Sequence, residues 1–216
     1  MLKVGLQAKE LPNITEFYRW QRPRQLWDLS RQTVRDLGSA EAFLSVGKDC
    51  EKTLQEALVA STFAFGFDKL ILPVEIRMAK VNQESMDFEL KPESGDDYKF
   101  ELTTAYPSEY RIREEYRGGK RPKLPDDWME GISADPEFVA QRIRSKTEKA
   151  MRKRFNRHLL VYQNIHGRGA TGIQQLLQLV SGAESVWQSI WLIMGIPDIG
   201  TTGIALLCPS PAFKFP

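Results

Sequence analysis

Asp87, Glu89, Lys99, Glu101 and Thr103 are the residues of this chain whose types and spacing could make a reactive centre. They fall in two short runs, 86–90 and 98–103, in which polar or acidic residues alternate with large apolar ones. That alternation predicts strands with one buried face. The polar segment 91–97 between them holds Pro92 and Gly95 and predicts a hairpin turn. Residues two apart share a strand face, so Asp87 goes with Glu89, and Lys99 with Glu101 and Thr103. The hairpin then brings carboxylates of neighbouring strands together. Paired carboxylates drawn out of water repel, and each raises the pKa of the other. A divalent cation relieves that repulsion, and an all-oxygen donor set suits Mg²⁺. The same pattern also fits an ordinary hairpin whose acids lie in water.

The elements that would position these acids follow from periodicity. A long helix is expected over 49–67, with Leu54, Leu58, Ser61 and Phe65 as its apolar stripe and Asp49 as its cap. Glu56 lies beside that stripe, where it either reaches toward a metal or simply faces solvent. A strand should begin after Pro73, which completes a three-strand meander. The polar segment 106–134 follows, rich in arginine, lysine and glutamate. Asp135-Pro136-Glu137 then has the chemistry of a helix start. Phe138, Val139, Ile143, Thr147, Ala150 and Met151 make one face of that helix. The other face carries Arg142, Arg144, Lys146, Lys149, Arg152, Lys153 and Arg154, with Glu148 the one acid among them. Such an imbalance points to a polyanion, with Arg142, Lys146, Lys149, Arg152 and Lys153 as nucleic-acid contacts.

Beyond it, 158–164 reads as a buried strand. Gly167, Gly169 and Gly172 spell Gly-x-Gly-x-x-Gly. A dinucleotide site is disfavoured, because this strand follows a meander instead of opening a strand–helix–strand unit. A helix over 171–180 and strands over 189–195 and 202–208 complete an α/β (α+β, mixed-sheet) chain. His158 and His166 flank a strand with no nucleophile at a recognisable spacing, so they read as structural.

The first 36 residues are rich in aromatics and arginines, including Trp20, Arg22, Arg24, Trp27, Arg31 and Arg35. Arginines beside flat rings can hold phosphates and stack on bases, although packing is the commoner use of the rings. Helices are expected over 26–37, ended by Gly38, and over 40–46. The chain therefore divides, as an expectation, into a helical appendage over 1–48 and an α/β domain over 49–216.

Its 216 residues suffice for one sizeable core, and 42% hydrophobic with 27% charged residues is ordinary globular composition. The net charge of +2 makes no global case for nucleic acid; only the local clusters do. No apolar stretch reaches membrane-spanning length, so no membrane partner is expected. The start of the chain lacks a secretory apolar run, and two distant cysteines, Cys50 and Cys208, fit a reducing cytoplasm better than a disulfide framework.

From 49 to 164 the expected order is helix, three-strand meander, helix, strand, with acids at the second and third strands. This resembles the PD-(D/E)XK nuclease superfamily and its restriction-endonuclease-like core. The resemblance covers about half of the chain. It implies catalytic positions at Asp87, Glu101, Lys99 and Thr103, and Mg²⁺ or Mn²⁺ held by Asp87, Glu101, the Leu102 carbonyl and Glu56. It implies phosphodiester hydrolysis of nucleic acid, DNA first, and leaves room for a homodimer or for an inactive module that binds nucleic acid or protein. Two departures stand out. Threonine occupies the motif's lysine position in Glu101-Leu102-Thr103, and no proline precedes Asp87. Lys99, Lys91, Lys146 and Lys149 are the candidate substitutes. Pro73-Val74-Glu75 with Glu89-Leu90-Lys91 is a second alignment that matches by letter, but a strand and not a helix follows it.

Overall fold

The three runs of alternating residues form an antiparallel meander, and everything else is arranged about it. The computed structural model describes residues 13–38, 46–81, 85–105, 136–151, 157–163, 172–196 and 201–209. Among them are helices α1 (Pro23–Leu37), α2 (Lys48–Leu70), α3 (Pro136–Met151) and α4 (Ile173–Leu179). The strands are β1 (Val74–Met78), β2 (Phe88–Pro92), β3 (Tyr98–Ala105), β4 (His158–Gln163), β5 (Ser189–Ile196) and β6 (Thr201–Pro209). They form one six-stranded sheet in the order β1-β2-β3-β4-β5-β6. Pairing is antiparallel for β1/β2 and β2/β3, parallel for β3/β4 and β4/β5, and antiparallel for β5/β6. The protein is thus α/β with a mixed sheet. The expected succession of helix, meander, helix and strand is present as α2, β1–β3, α3 and β4.

Two parallel crossovers in one direction carry their helices to the same face. So α3 and α4 share one side of the sheet and α1 and α2 the other. Strand alternation divides the core accordingly. Leu160, Tyr162, Trp191 and Ile193 join Leu54, Phe63 and Phe67 of α2. Leu159, Val161, Ile190 and Leu192 join Val139 and Ile143 of α3 and Leu176 of α4. On the first face Phe63 is an aromatic hub, 5.2 Å from Phe100 and 5.4 Å from Trp191 between ring centres. Phe88 and Phe100 stack in register at 4.7 Å. Such pairs add roughly 0.5–1.5 kcal/mol each beyond their burial.

The helix ends follow the local chemistry in part. Gly38 takes φ 75° at the end of α1, a left-handed cap that a side chain would disfavour. Gly47, not Asp49, is the N-cap of α2, and Asp49 lies in its first turn. The expected stripe of α2 is also rotated. Leu54 and Ser61 are buried, but Phe65 is exposed, while Ala57, Ala60, Ala64 and Phe67 face inward. The reason is that α2 lies between the sheet and α1 and buries more than one stripe. On α3, Met151 is 61% exposed and Ala140 takes a place in the core. β2 begins at Phe88 and keeps Lys91 and Pro92 in the ladder, so Asp87 precedes the strand instead of lying within it.

Phe17, Leu26 and Leu37 of the N-terminal segment lie in the same apolar cluster as α2 and the meander. Gln21 pairs with Ile76 as a one-residue extension of the sheet. The expected helix over 40–46, except Val46, the segment 106–134, Arg152–Arg154, His166, Gly167 and Gly169 lie outside the described residues.

Candidate acidic site

Asp87 is fixed by the end of β2. Its backbone N–H donates to Phe100 O at 2.9 Å, and its carbonyl accepts from Ala79 N at 2.9 Å. The next N–H of β3 on that side, Leu102, therefore lacks a strand partner. Asp87 Oδ2 accepts it at 2.8 Å. A side chain thus replaces the missing ladder bond and pairs the Leu102 N–H. The N–H and C=O of one β residue point to the same side, so the Leu102 carbonyl is turned toward Asp87 as well.

The second carboxylate oxygen of Asp87, Oδ1, accepts from Lys52 Nζ of α2 at 3.1 Å. Lys52 also reaches Glu56 Oε1, one helical turn along, at 3.5 Å. Glu101 stands on the α3 side of β3, and Lys146 of α3 holds its Oε1 at 2.5 Å. Arg157, just before β4, is buried in the field of Glu101 and Asp87, and its Nη2 donates to Ser85 Oγ. Three carboxylates and three cations are therefore linked through ion pairs and mutual electrostatic fields, drawn from α2, the segment before β2, β3, α3 and the segment before β4.

The acids are unequally compensated. Burial, then repulsion from Asp87, pushes the Glu56 carboxyl up to about 8, against the opposing pull of Lys52 and Lys146. Burial alone would lower Lys52, but the carboxylates of Asp87 and Glu56 outweigh it and hold its ammonium above the usual lysine value. Burial lowers Arg157, while Glu101 and Asp87 work against that shift. Nearby His158 is pushed down to about 3 by burial alone, with Nδ1 2.7 Å from Ser189 Oγ, and is a neutral structural residue at ordinary pH.

Of the residues expected at a site, the fold brings Glu56, Asp87, Glu101 and Lys146 together. Thr103 is buried on the Glu101 side of β3. Its Oγ1 accepts from Arg142 Nε at 3.2 Å, and the same Nε reaches Thr104 O at 3.2 Å. Lys99 is exposed, two residues from Glu101 and opposite Glu89 in the β2/β3 register. Lys149 is exposed on α3. Arg152 and Lys153 are outside the described residues. Sequence reasoning missed Lys52 and Arg157. Lys52 had a local signal, since it sits four residues before Glu56 on the same helix face. Arg157 had none.

The donors fit a hard divalent ion by type: carboxylate oxygens of Asp87, Glu101 and Glu56, and the Leu102 carbonyl. In their present arrangement ammonium groups stand between them. Among the described residues no three acids, histidines or cysteines converge as a ready-made metal cluster. Among the same residues no helix is long and apolar enough to cross a membrane.

A second ionic group lies on the same sheet face. Glu89 is 4% exposed, and Arg77 grips its Oε2 through Nη2 at 2.6 Å and Nε at 2.9 Å. Trp20 stands beside Arg77, with the guanidinium carbon 5.3 Å from the ring centre.

No protein-family model matches the chain, and no curated protein matches it in sequence.

Proposed function

We propose that this protein hydrolyses phosphodiester bonds of nucleic acid with a divalent cation, using a restriction-endonuclease-like core. One observation carries the reading. Lys146 of α3 is seated on Glu101, beside an Asp87 tied to the next residue of β3. Lys146 would take the part of the motif's lysine, whose position Thr103 occupies in sequence. Asp87, Glu101 and the Leu102 carbonyl would hold Mg²⁺ or Mn²⁺, with Glu56 behind them, and the bound ion would lower the pKa of a water and neutralise phosphate charge. Lys146 would orient the attacking water and offset charge on the phosphate, and Lys52 would balance the charge of Asp87 and Glu56. Arg142 and Lys149, with Arg152 and Lys153 further along the chain, position the backbone phosphates. DNA is the first substrate to try.

The test is cleavage of plasmid DNA with Mn²⁺ or Mg²⁺. Asp87→Ala and Glu101→Ala should abolish it. Lys146→Met should slow it by roughly 10²-fold or more, the scale of losing one proton-handling group. Absence of both cleavage and calorimetric metal binding sinks the proposal. A second reading, a non-catalytic nucleic-acid-binding module, is favoured by the Lys52 ammonium on Asp87 and by Arg142 held on Thr103. Salt-dependent DNA binding without turnover would select it.

A further inference from the structure

The strand registers place more than the acids on the α3 side of the meander. Antiparallel pairing of Gln21 with Ile76 sets Trp20 opposite Arg77. Arg77 pairs with Glu89, and Glu89 with Lys99. Trp20, Arg77, Glu89 and Lys99 thus form one row across the sheet. Three strand-to-strand steps of about 4.8 Å make the row about 14 Å long. Lys99 is its end nearest the candidate site, two residues and about 6.8 Å along β3 from Glu101. Lys91 lies on the same face, two residues along β2 from Glu89, and its Nζ is 5.6 Å from the Trp20 ring centre.

Within this row the cations outnumber the one acid, and in the next row the half-buried Glu75 is the acid opposite Lys91. The acid opposite Lys99 is Glu89, and Arg77 already holds it in a buried pair. Lys99 and Lys91 are both exposed. Trp20 is half-buried, with Arg77 and Lys91 against its ring. Cationic groups spaced along a surface with a flat ring at its end suit a single nucleic-acid strand: phosphates meet ammonium groups and a base lies on the indole.

We infer that Trp20, Lys91 and Lys99 form a ledge that takes the single strand leading away from the acidic site, with a base stacked on Trp20 and phosphates on the two lysines. The inference rests on the nucleic-acid reading above, but it assigns contacts on the sheet face, apart from the basic helix α3. Arg77 is a positioning residue here, because it keeps Glu89 away from Lys99 and braces the indole.

The test is fluorescence anisotropy of a labelled oligothymidylate with the full chain in EDTA, so that binding is read without cleavage. The double variant Lys91→Gln/Lys99→Gln should weaken binding at least tenfold at low salt. It should also flatten the slope of log K against log salt by about 1.4, the two phosphate contacts at about 0.7 each. Trp20→Leu should lose about tenfold, the scale of one stacked base, while Trp20→Phe should keep most of the affinity. Lys48→Gln/Lys69→Gln removes the same charge from the two ends of α2 and should change little. An unchanged affinity in the Lys91/Lys99 double variant overturns the ledge, as does an equal loss in the α2 variant. If the wild-type chain cleaves plasmid but the ledge variants bind normally, only the ledge falls. If they lose binding and the wild type never cleaves, the ledge stands and only the hydrolytic reading falls.

Discussion

Glu89 and Glu56 are both acids withdrawn from water in this fold, and their surroundings differ. Glu89 has one guanidinium on one of its oxygens, from the directly opposed residue of the next strand. Glu56 has part of one ammonium, Lys52, which it shares with Asp87 at the shorter distance. Glu89 belongs to a closed pair that needs nothing more. Glu56 belongs to a cluster in which carboxylates compete for cations, so its own carboxyl is pushed up to about 8. A perturbed group of that kind, held between elements from five parts of the chain, is a functional-site candidate on physical grounds. Burial alone does not distinguish the two acids; the supply of positive charge does.

Breaking the closed pair should have the largest effect. Arg77→Met leaves the Glu89 carboxylate buried without its guanidinium and should cost about 3–5 kcal/mol in urea denaturation. Adding Glu89→Leu should restore all but about 1–2 kcal/mol, since a matched apolar pair can replace a buried ion pair. A loss below 1 kcal/mol for Arg77→Met would mean that Glu89 is not withdrawn from water as the fold implies.

The open cluster should instead announce itself through pH. The folded protein keeps the Glu56 proton up to about 8, while the unfolded chain releases it near the ordinary value of 4.5. Across that window the folded state binds more protons, so this group's contribution to stability falls as pH rises. The decline should total on the order of a few kcal/mol between pH 4.5 and 8. Glu56→Gln should remove it. His158 slopes the other way between about 3 and 6.5, but it is common to both proteins and cancels in their difference. Identical pH profiles would show that Glu56 is fully compensated. Saturating Mg²⁺ should pull the Glu56 titration down if a cation enters the cluster.

The smallest effects sharpen the comparison by sign. Asp87→Asn removes the carboxylate that repels Glu56 and should move its titration down. Lys52→Gln removes the cation that favours ionisation and should move it up. Carboxyl-carbon NMR reads both. Shifts in the same direction for the two variants would contradict the shared-lysine arrangement.

Much of the scaffold was legible because it is written in local periods. Alternation in 74–78, 88–92 and 98–105 marks the meander, and the run of apolar residues at 158–163 marks a strand buried on both faces. Gly38 marks a helix end through its own backbone freedom. The ends of β2 were less legible, since alternation continues through Asp87 while pairing does not. The rotation of α2 and the shared core of the N-terminal segment were not legible, because helix-on-helix burial depends on a partner remote in sequence. The site was legible in its acids but not in their partners. Nothing local tells that Lys146, 45 residues from Glu101, reaches it while Lys99, two residues away, faces solvent.

By itself the sequence determined roughly where strands and helices form and that Asp87 falls next to the strand paired with the one that carries Glu101, since both follow from side-chain type and backbone period. Tertiary structure alone decided which cation meets which acid, and hence that Glu56 is left short of charge. Coulomb interactions depend on distance through space and on exclusion of water, and neither quantity exists until α2, α3 and the sheet have packed.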